Sequence, residues 1–230
     1  RKLGISASMD KNLTIALGSF SVTLEEMVET YGVFANQGQR VDPIFVTKIE
    51  DIHGNILEEN VNPTEKIISE ETAFLTTDAM RDVVDHGTGV RAKAIGRPSA
   101  GKTGTTNDSK DAWYIGFIPQ LLAGVYVGYD NPKSMGGTET GSRAAAPIWV
   151  DFMKNAVATL ATEQFSQPPG VITVKVHESG RRAAPCDQPE QTFYEHYRVG
   201  TEPAKDNVIH NLCDSQQRLA VSEAENKLEL

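Results

Sequence analysis

Residues 101–106, which read Gly-Lys-Thr-Gly-Thr-Thr, constrain the fold of this chain more than any other stretch. They set a lysine among threonines and glycines, and an apolar run at residues 112–118 follows after a short polar segment. Residues 96–103 also match the pattern G-x-x-x-x-G-K-[ST] of a phosphate-binding loop. Such a loop opens a helix at its lysine, so the conformation after Lys102 decides what the stretch can do.

The residues that flank Lys102 disfavour a helix at this point. Thr-Gly-Thr-Thr-Asn-Asp-Ser follows it. Glycine and β-branched threonine are poor helix formers, and Asn, Asp and Ser favour caps and turns. Pro98 comes shortly before Gly101, although proline is poorly tolerated in a central strand such as the one a phosphate loop requires there. A P-loop-like nucleotide-binding enzyme is therefore kept only as the alternative hypothesis. Saturable ATP binding that Lys102→Ala abolishes would support it.

An extended strand is the favoured interpretation of residues 102–105. Side chains alternate along a strand, so Thr103 and Thr105 would share one face, and Lys102 and Gly104 the other. Two hydroxyls on one face can hold a carboxylate, and the lysine charge nearby favours the anion. Gly104 would let a backbone or a substrate approach closely. The competing interpretation is a plain hairpin strand, because a tripeptide such as Lys-Thr-Gly occurs often by chance.

Predicted strands at about 111–118 and 121–129 follow this strand, because two apolar runs lie there with a two-residue break between them. Together with a strand over about 98–106, they predict a three-stranded antiparallel meander. If the first strand extends that far, Thr106 lies on the face opposite Thr105. A helix over about 144–161 is expected to pack against this sheet. Its predicted buried stripe comprises Trp149, Phe152, Met153, Ala156, Val157 and Leu160.

Two further helices are predicted upstream. Thr23 and Glu26 form a capping box at the start of a helix that Gly38 stops. Ser69 can cap a second helix that continues to about Asp85. The predicted inward residues of this second helix are Ala73, Thr76, Met80, Val83 and Val84.

Turns account for two further stretches. Residues 44–59 predict a hairpin that turns at His53-Gly54-Asn55, and His53 is interpreted as a turn residue. Thr88, between Gly87 and Gly89, is likewise interpreted as a turn former. The five histidines show no H-x-x-x-H spacing, so no metal site is predicted.

Several separate segments resemble, in the same order, the C-terminal half of the transpeptidase domain of class A (bifunctional) penicillin-binding proteins. The similarity extends from about Leu3 to about Met153, and the K-T-G of residues 102–104 is the third motif of that family. Agreement among several motifs makes the resemblance more specific than the tripeptide alone. The segments are 86–92, 100–108, 111–119, 127–132 and 145–149, with 17–27 and 34–38 upstream.

The resemblance implies an α+β (α/β) fold of the β-lactamase/transpeptidase type, in which helices flank an antiparallel sheet. Residues 1–165 would be the C-terminal part of the transpeptidase domain, and residues 166–230 a partly ordered C-terminal extension. The implied function is that of a peptidoglycan D,D-transpeptidase, which cross-links the cell wall through a serine acyl-enzyme and is a β-lactam target. The implied partners are peptidoglycan stem peptides, β-lactams and the upstream part of the same domain, with no cofactor.

The same resemblance assigns roles to four residues. Lys102 would be catalytic, since it supplies positive charge and can take part in proton transfer. Thr103, Gly104 and Thr105 would bind the substrate, with the two threonines on its terminal carboxylate. The backbone N–H of Thr105 would form half of the oxyanion hole.

Two motifs of the resembling family, S-x-x-K and S-x-N, are expected upstream of the K-T-G. No S-x-N occurs in the 230 residues, and S-x-x-K occurs only at Ser8 and Ser99. Both are interpreted as coincidences, because the family has no nucleophile near the first and the second overlaps the K-T-G. The chain, which begins at Arg1, is therefore expected to be a piece of a longer protein. A non-catalytic binding or structural domain remains the second alternative.

Charge and hydropathy narrow the partners and the compartment. The net charge of −9 disfavours nonspecific nucleic-acid binding. No run of about 20 apolar residues is present. The class A resemblance implies that a membrane anchor and a glycosyltransferase domain lie upstream, and that the chain acts outside the cytoplasm. Cys186 and Cys213 could form a disulfide there, or could be free thiols, and sequence alone leaves both open.

Overall fold

The computed structural model describes residues 2–8, 13–18, 20–206, 209 and 211–213, and the chain divides into two compact units, Arg1–Ser166 and Gln167–Leu230. The first unit contains α1 (Leu24–Ala35), β1 (Gln39–Arg40), β2 (Lys48–Glu50), β3 (Ile56–Glu59), β4 (Glu65–Lys66), α2 (Glu70–Asp85), β5 (Ala100–Thr105), β6 (Asp111–Ile118), β7 (Leu121–Gly128) and α3 (Ala146–Ala156). The second unit contains β8 (Val171–His177) and β9 (Thr192–Arg198).

Strands β5, β6 and β7 form one antiparallel sheet in that order, so the predicted meander is confirmed. Pro119 and Gln120 connect β6 to β7, and a polar turn over residues 106–110 connects β5 to β6. Lys102 and Thr103 lie in a strand. The phosphate-loop alternative therefore lacks the helix that it requires at these residues.

Helices cover both faces of this sheet. On one face Tyr114 packs edge-on against Trp149 of α3, with ring centroids 5.2 Å apart, and neither residue is exposed. On the other face Phe117 packs with Ala100 and with Met80 of α2. The predicted architecture, an antiparallel sheet flanked by helices, is confirmed.

Side-chain caps define the starts of α1 and α2. The side chain of Thr23 accepts from the N–H of Glu26, and the carboxylate of Glu26 accepts from the N–H of Thr23, so the predicted capping box is confirmed. Ser69 Oγ accepts from the N–H of Thr72 at the start of α2. After α1, Gly38 adopts a φ of +89°, which glycine tolerates best, and the chain turns into β1.

The inward side of α2 keeps Ala73, Met80 and Val84 of the five predicted residues, and it differs at the others. Thr76 is half-buried and donates its hydroxyl to the carbonyl of Thr72 within the helix, whereas Thr77 is buried and donates to the carbonyl of Phe34 in α1. Phe74 is also buried, while Val83 is only half-buried. The reason is that α2 packs against α1 as well as β5, which widens its buried surface.

Helix α3 is shorter than predicted. It ends at Ala156, and a single π-helical turn over Gly141–Ala145 precedes it. Trp149, Met153 and Val157 are buried as predicted, but Phe152 is 54% exposed and Leu160 is 37% exposed. The buried stripe of α3 consists of Ala146, Trp149, Val150 and Met153. Phe152 lies beside this stripe, and Leu160 lies beyond the end of the helix.

The predicted hairpin is formed by β2 and β3 and turns at residues 51–55. Asp51 Oδ1 accepts from the N–H groups of His53 and Asn55, which confirms His53 as a turn residue. No helix in the described part of the chain combines the length and the apolar character that crossing a bilayer requires.

In the second unit, β8 pairs with β9 in an antiparallel hairpin. Cys186 and Cys213 form a disulfide, with their Cα atoms 5.3 Å apart, so the bonded alternative is the one observed. The guanidinium of Arg181 donates a hydrogen bond to each carboxylate oxygen of Asp187, and this pairing lowers the pKa of Asp187 to about 2. Most of the predicted poorly ordered tail, namely residues 207, 208, 210 and 214–230, lies outside the described residues.

Candidate active site

Residues 102–105 lie in β5, at the edge of the three-stranded sheet. One side of β5 pairs with β6, and no strand among the described residues pairs with the other side. Lys102 and Thr105 are exposed, and Thr103 and Gly104 are half-buried. An open strand edge presents N–H and C=O groups that an extended peptide can match by adding as a further strand.

The pairing register puts the two threonines on one face of the sheet. Thr103 lies opposite Tyr114, whose ring packs on α3, and Thr105 is two residues further along the same face. Lys102 lies opposite Ile115 and therefore on the face that α1 and α2 cover. The side chains of β5 thus alternate as the sequence predicts. Because β5 is the edge strand, groups from both faces border the same open edge.

The two glycines of this strand allow β5 and β6 to lie close together. A Cβ on Gly104 would lie 3.1 Å from Trp113 Cβ, and one on Gly101 would lie 2.5 Å from the hydroxyl of Tyr114. Burial raises the pKa of the Tyr114 phenol above its ordinary value. The glycine of the K-T-G motif therefore has a packing role in addition to any role toward a substrate.

A neighbouring turn holds the hydroxyl of Thr103. Thr88 Oγ1 lies 2.6 Å from Thr103 Oγ1, and either oxygen can be the donor. Thr88 belongs to the turn between α2 and the short 3₁₀ helix over Val90–Ile95. The sequence interpretation of Thr88 as a turn former is therefore incomplete, because its side chain contacts the candidate site.

A backbone group contacts the hydroxyl of Thr105. The N–H of Gly141 donates to Thr105 Oγ1 at 3.1 Å. Gly141 is buried and begins the π-helical turn that leads into α3. A Cβ there would lie 2.6 Å from the carbonyl oxygen of Gly104, so only glycine permits this approach.

The ammonium of Lys102 lies at the exposed edge of the sheet. Its Nζ donates to the carbonyl of Thr103 at 2.8 Å, so the side chain folds back along its own strand. This contact uses one of three ammonium protons, which leaves two donors for other groups. Lys102 can therefore supply both a positive charge and hydrogen-bond donors at this edge.

Thr106 lies beyond the end of β5, so strand alternation does not describe it. Its hydroxyl accepts from the N–H of Asp111 at 2.8 Å and donates to the carboxylate of Asp111 at 3.2 Å. The other oxygen of Asp111 accepts from the hydroxyl of Tyr126 at 2.8 Å, and this bond raises the pKa of Tyr126. Thr106 therefore closes the turn between β5 and β6.

The two S-x-x-K matches differ in their surroundings. Ser99 is only 5% exposed, and its hydroxyl has no hydrogen-bond partner among the described residues, so a substrate cannot reach it in this structure. Ser8 is exposed, but residues 9–11, which complete its motif, lie outside the described residues. The described residues include no group of three or more His, Cys, Asp or Glu side chains placed to hold a metal.

Sequence reasoning missed two residues of this site, Thr88 and Gly141. Both lie far from the K-T-G in sequence, and only the fold brings them to Thr103 and Thr105. The signal that could have found them is the glycine pattern. Gly87 and Gly89 flank Thr88, and Gly141 ends a glycine-rich loop, as expected where backbones approach closely.

Residues 4–154 match the family described as the penicillin-binding protein transpeptidase domain. Penicillin-binding protein 1A of Aquifex aeolicus is 39% identical over 205 residues, which cover 88% of this chain and 28% of the relative. Penicillin-binding protein 1A of Rickettsia bellii is 35% identical over 84% of this chain and 27% of its own length. The chain thus spans just over a quarter of these relatives.

Solved structures give the same result. Penicillin-binding protein 1A from Haemophilus influenzae superposes with a TM-score of 0.81 at 28% identity, over 89% of this chain and 36% of that one. PonA1 from Mycobacterium tuberculosis superposes with a TM-score of 0.66 at 27% identity, over 73% of this chain and 50% of that one. The chain belongs to the penicillin-binding protein transpeptidase family.

Proposed function

We propose that this chain supplies the carboxylate-binding side of the active site of a peptidoglycan D,D-transpeptidase, as part of a longer protein. The observation that carries the proposal is the pair of hydroxyls at Thr103 and Thr105 on an open edge strand, on which the ammonium of Lys102 also contacts the carbonyl of Thr103. Hydroxyl donors and a cation suit the terminal carboxylate of a stem peptide, and the edge suits its extended backbone.

The proposed reaction is a two-step acyl transfer. A serine hydroxyl from outside these 230 residues attacks the carbonyl carbon of the penultimate D-alanine. The amide C–N bond breaks, the terminal D-alanine leaves with the serine proton on its amine, and an ester joins the stem peptide to the serine. The amine of a neighbouring stem peptide then attacks the ester, which forms the cross-link and restores the serine. Two such steps are each easier than direct exchange of the amide.

Residues 102–105 of β5 each have a place in this scheme. Thr103 and Thr105 donate their hydroxyls to the terminal carboxylate, and Lys102 adds attraction for the anion and takes part in proton transfer. Gly104 keeps the strand free of a side chain where the substrate lies. The N–H of Thr105 is half of the oxyanion hole, and the loss of one such donor lowers the rate by roughly 10²–10³.

Two observations support the wider setting of this proposal. PonA1 from Mycobacterium tuberculosis, which is 28% identical to this chain, has been solved in complex with penicillin V, and a β-lactam is the ligand that we propose here. The disulfide between Cys186 and Cys213 suits an oxidising compartment, so we place the chain outside the cytoplasm. Residues 1–165 would act in the site, with residues 166–230 as an extension and no cofactor required.

The test uses the full-length protein and the second-order rate of its acylation by a β-lactam. Thr105→Val keeps the shape of the side chain and the backbone N–H but removes the hydroxyl. A hydrogen bond to a charged group is worth about 1.5–3 kcal/mol, so acylation should slow by roughly one to two orders of magnitude. Thr105→Ser, which keeps a hydroxyl, should recover most of the rate.

Thr106→Val is the matched control, because it removes a hydroxyl from the adjacent residue, where Asp111 occupies it. It should lower the melting temperature, since it opens the turn, and leave acylation of the folded protein nearly unchanged. Equal losses of rate for Thr105→Val and Thr106→Val, in proteins that are both folded at the assay temperature, would contradict the roles given to Thr103 and Thr105.

A further inference from the structure

We propose that Thr88 and Gly141 are positioning residues that hold the hydroxyls of Thr103 and Thr105 with their protons directed to the substrate carboxylate. The inference rests on the proposed function and adds two groups outside β5 to the site. The observation behind it is that each threonine hydroxyl has one polar neighbour from a different part of the fold.

A hydroxyl group has one proton to donate and two lone pairs that accept. A carboxylate only accepts, so a threonine that binds it must give its single proton to it. A neighbour that also accepted from that threonine would compete for the same proton. A neighbour that donates to the threonine leaves the proton free and polarises the O–H bond further.

At Thr105 the direction of the hydrogen bond is unambiguous. Its neighbour is the backbone N–H of Gly141, which can only donate, at 3.1 Å. The oxygen of Thr105 therefore accepts from Gly141, and its own proton remains available. A Cβ on residue 141 would lie 2.6 Å from the carbonyl oxygen and 3.0 Å from the nitrogen of Gly104, so a larger residue would move this N–H away.

At Thr103 the substrate sets the direction. Without a ligand, either Thr88 or Thr103 can be the donor across their 2.6 Å contact. When Thr103 donates to a carboxylate, Thr88 must donate to Thr103 if the contact is kept. A relay then runs from the hydroxyl of Thr88 through that of Thr103 to the anion, which strengthens the final bond.

The turn that carries Thr88 is built to keep its position. A Cβ on Gly87 would lie 3.0 Å from the Cα and the carbonyl oxygen of Val83, and one on Gly89 would lie 3.1 Å from the same oxygen. The N–H of Gly89 donates to that carbonyl at 2.9 Å. Two close approaches therefore fold the turn onto the last part of α2 and leave the Thr88 side chain directed to β5.

The test compares two ligands on the full-length protein, a β-lactam that bears its carboxylate and the neutral methyl ester of the same compound. The ratio of their acylation rates reports how well the site recognises the carboxylate. Thr88→Val should lower this ratio roughly three- to tenfold, the worth of one ordinary hydrogen bond. Thr88→Ser should restore it, and Gly141→Ala should lower it through Thr105.

Thr76→Val is the matched control, because the hydroxyl of Thr76 is used within α2 and its loss should leave the ratio unchanged. If Thr88→Val does not fold, Thr88→Ala carries the same comparison with a smaller side chain. Suppose that the wild-type protein acylates faster with the carboxylate ligand than with the ester. The positioning role alone would then be overturned if Thr88→Val left the ratio of the two rates unchanged, or if it slowed acylation by both ligands equally. A wild-type ratio near one would show that the site does not recognise the carboxylate, and would overturn the proposed function as well.

Discussion

Lys102 is a cation on an open strand edge, and its only described partner is the carbonyl of its own neighbour, Thr103. In the proposed site it both attracts the substrate anion and takes part in proton transfer. We therefore expect Lys102→Ala in the full-length protein to lower β-lactam acylation more than Thr105→Val does, by more than about 100-fold, since two effects are lost together.

Lys110→Ala is the matched control for that variant, since Lys110 lies in the adjoining turn and pairs with Asp108 at 3.8 Å. It should change the acylation rate little, because an exposed ion pair contributes little and lies outside the proposed site. A Lys102→Ala protein that keeps the wild-type melting temperature and acylates at the wild-type rate would remove Lys102 from the mechanism.

At the residue scale, sequence could predict the groups that one strand carries. Lys102, Thr103 and Thr105 are neighbours in sequence, and the period of a strand is enough to sort them by face. Thr88 and Gly141 reach the same hydroxyls through tertiary packing, which no local pattern encodes. The sequence predicts that Thr106 lies in the same strand, but the strand ends at Thr105. Thr106 instead belongs to the turn, where its hydroxyl accepts from the N–H of Asp111.

At the element scale, the start of α1 depends on the charge of Glu26. The hydroxyl of Ser6, followed by the N–H groups of Thr23 and Ser6, lowers the pKa of Glu26 from 4.5 to about 2. A lowered pKa in the folded state means that the carboxylate stabilises the cap above about pH 4.5, and that this contribution is lost as the pH falls toward 2.

Glu26→Gln keeps the shape of the cap but removes its charge. Hydrogen-exchange protection at the first turn of α1 should therefore be greater in wild type than in Glu26→Gln above pH 4.5. The difference should vanish as the pH approaches 2. A constant difference over that range would show that the charge of Glu26 does not stabilise the helix start.

The contact between the sheet and α3 leaves no room at Gly116. A Cβ on this residue would lie 2.8 Å from Tyr114 Cε1 and 2.9 Å from Trp149 Cζ2. The indole N–H of Trp149 also donates to the carbonyls of Gly116 and Ala123, both at 3.1 Å. Gly116→Ala should therefore lower the free energy of unfolding by about 1–3 kcal/mol through overpacking.

Chemical denaturation of Gly116→Ala and Gly137→Ala would check this prediction. A Cβ at Gly137 would meet no atom within 4 Å, so that variant should be near wild type. Equal stability of the two variants would mean that α3 can shift away from the sheet at little cost.

Among the elements, those with their own start signals were predicted well from sequence. The caps at Thr23 and Ser69 and the short breaks around β6 are local signals. The end of α3 was predicted less well, because the apolar residues Phe152 and Leu160 continue its helical spacing although the sheet no longer covers them. An apolar period shows which residues could be buried, and the neighbouring elements decide which are.

At the scale of the whole molecule, the family match covers residues 4–154, which lie within the first compact unit. The matched residues cover 28% of the Aquifex relative, and the proposed reaction uses a serine from outside these 230 residues. Within these 230 residues, one strand and two neighbouring segments form the proposed carboxylate-binding side, and the proposed nucleophile lies outside them.

The most direct test of that central claim is labelling with a fluorescent penicillin, followed by mapping of the adduct by mass spectrometry. The 230-residue chain alone should form no covalent adduct. The full-length protein should be labelled at a serine outside these residues, and Lys102→Ala should nearly abolish that label. An adduct on Ser8 or Ser99 of the isolated chain would contradict the account, because the nucleophile would then lie within the chain.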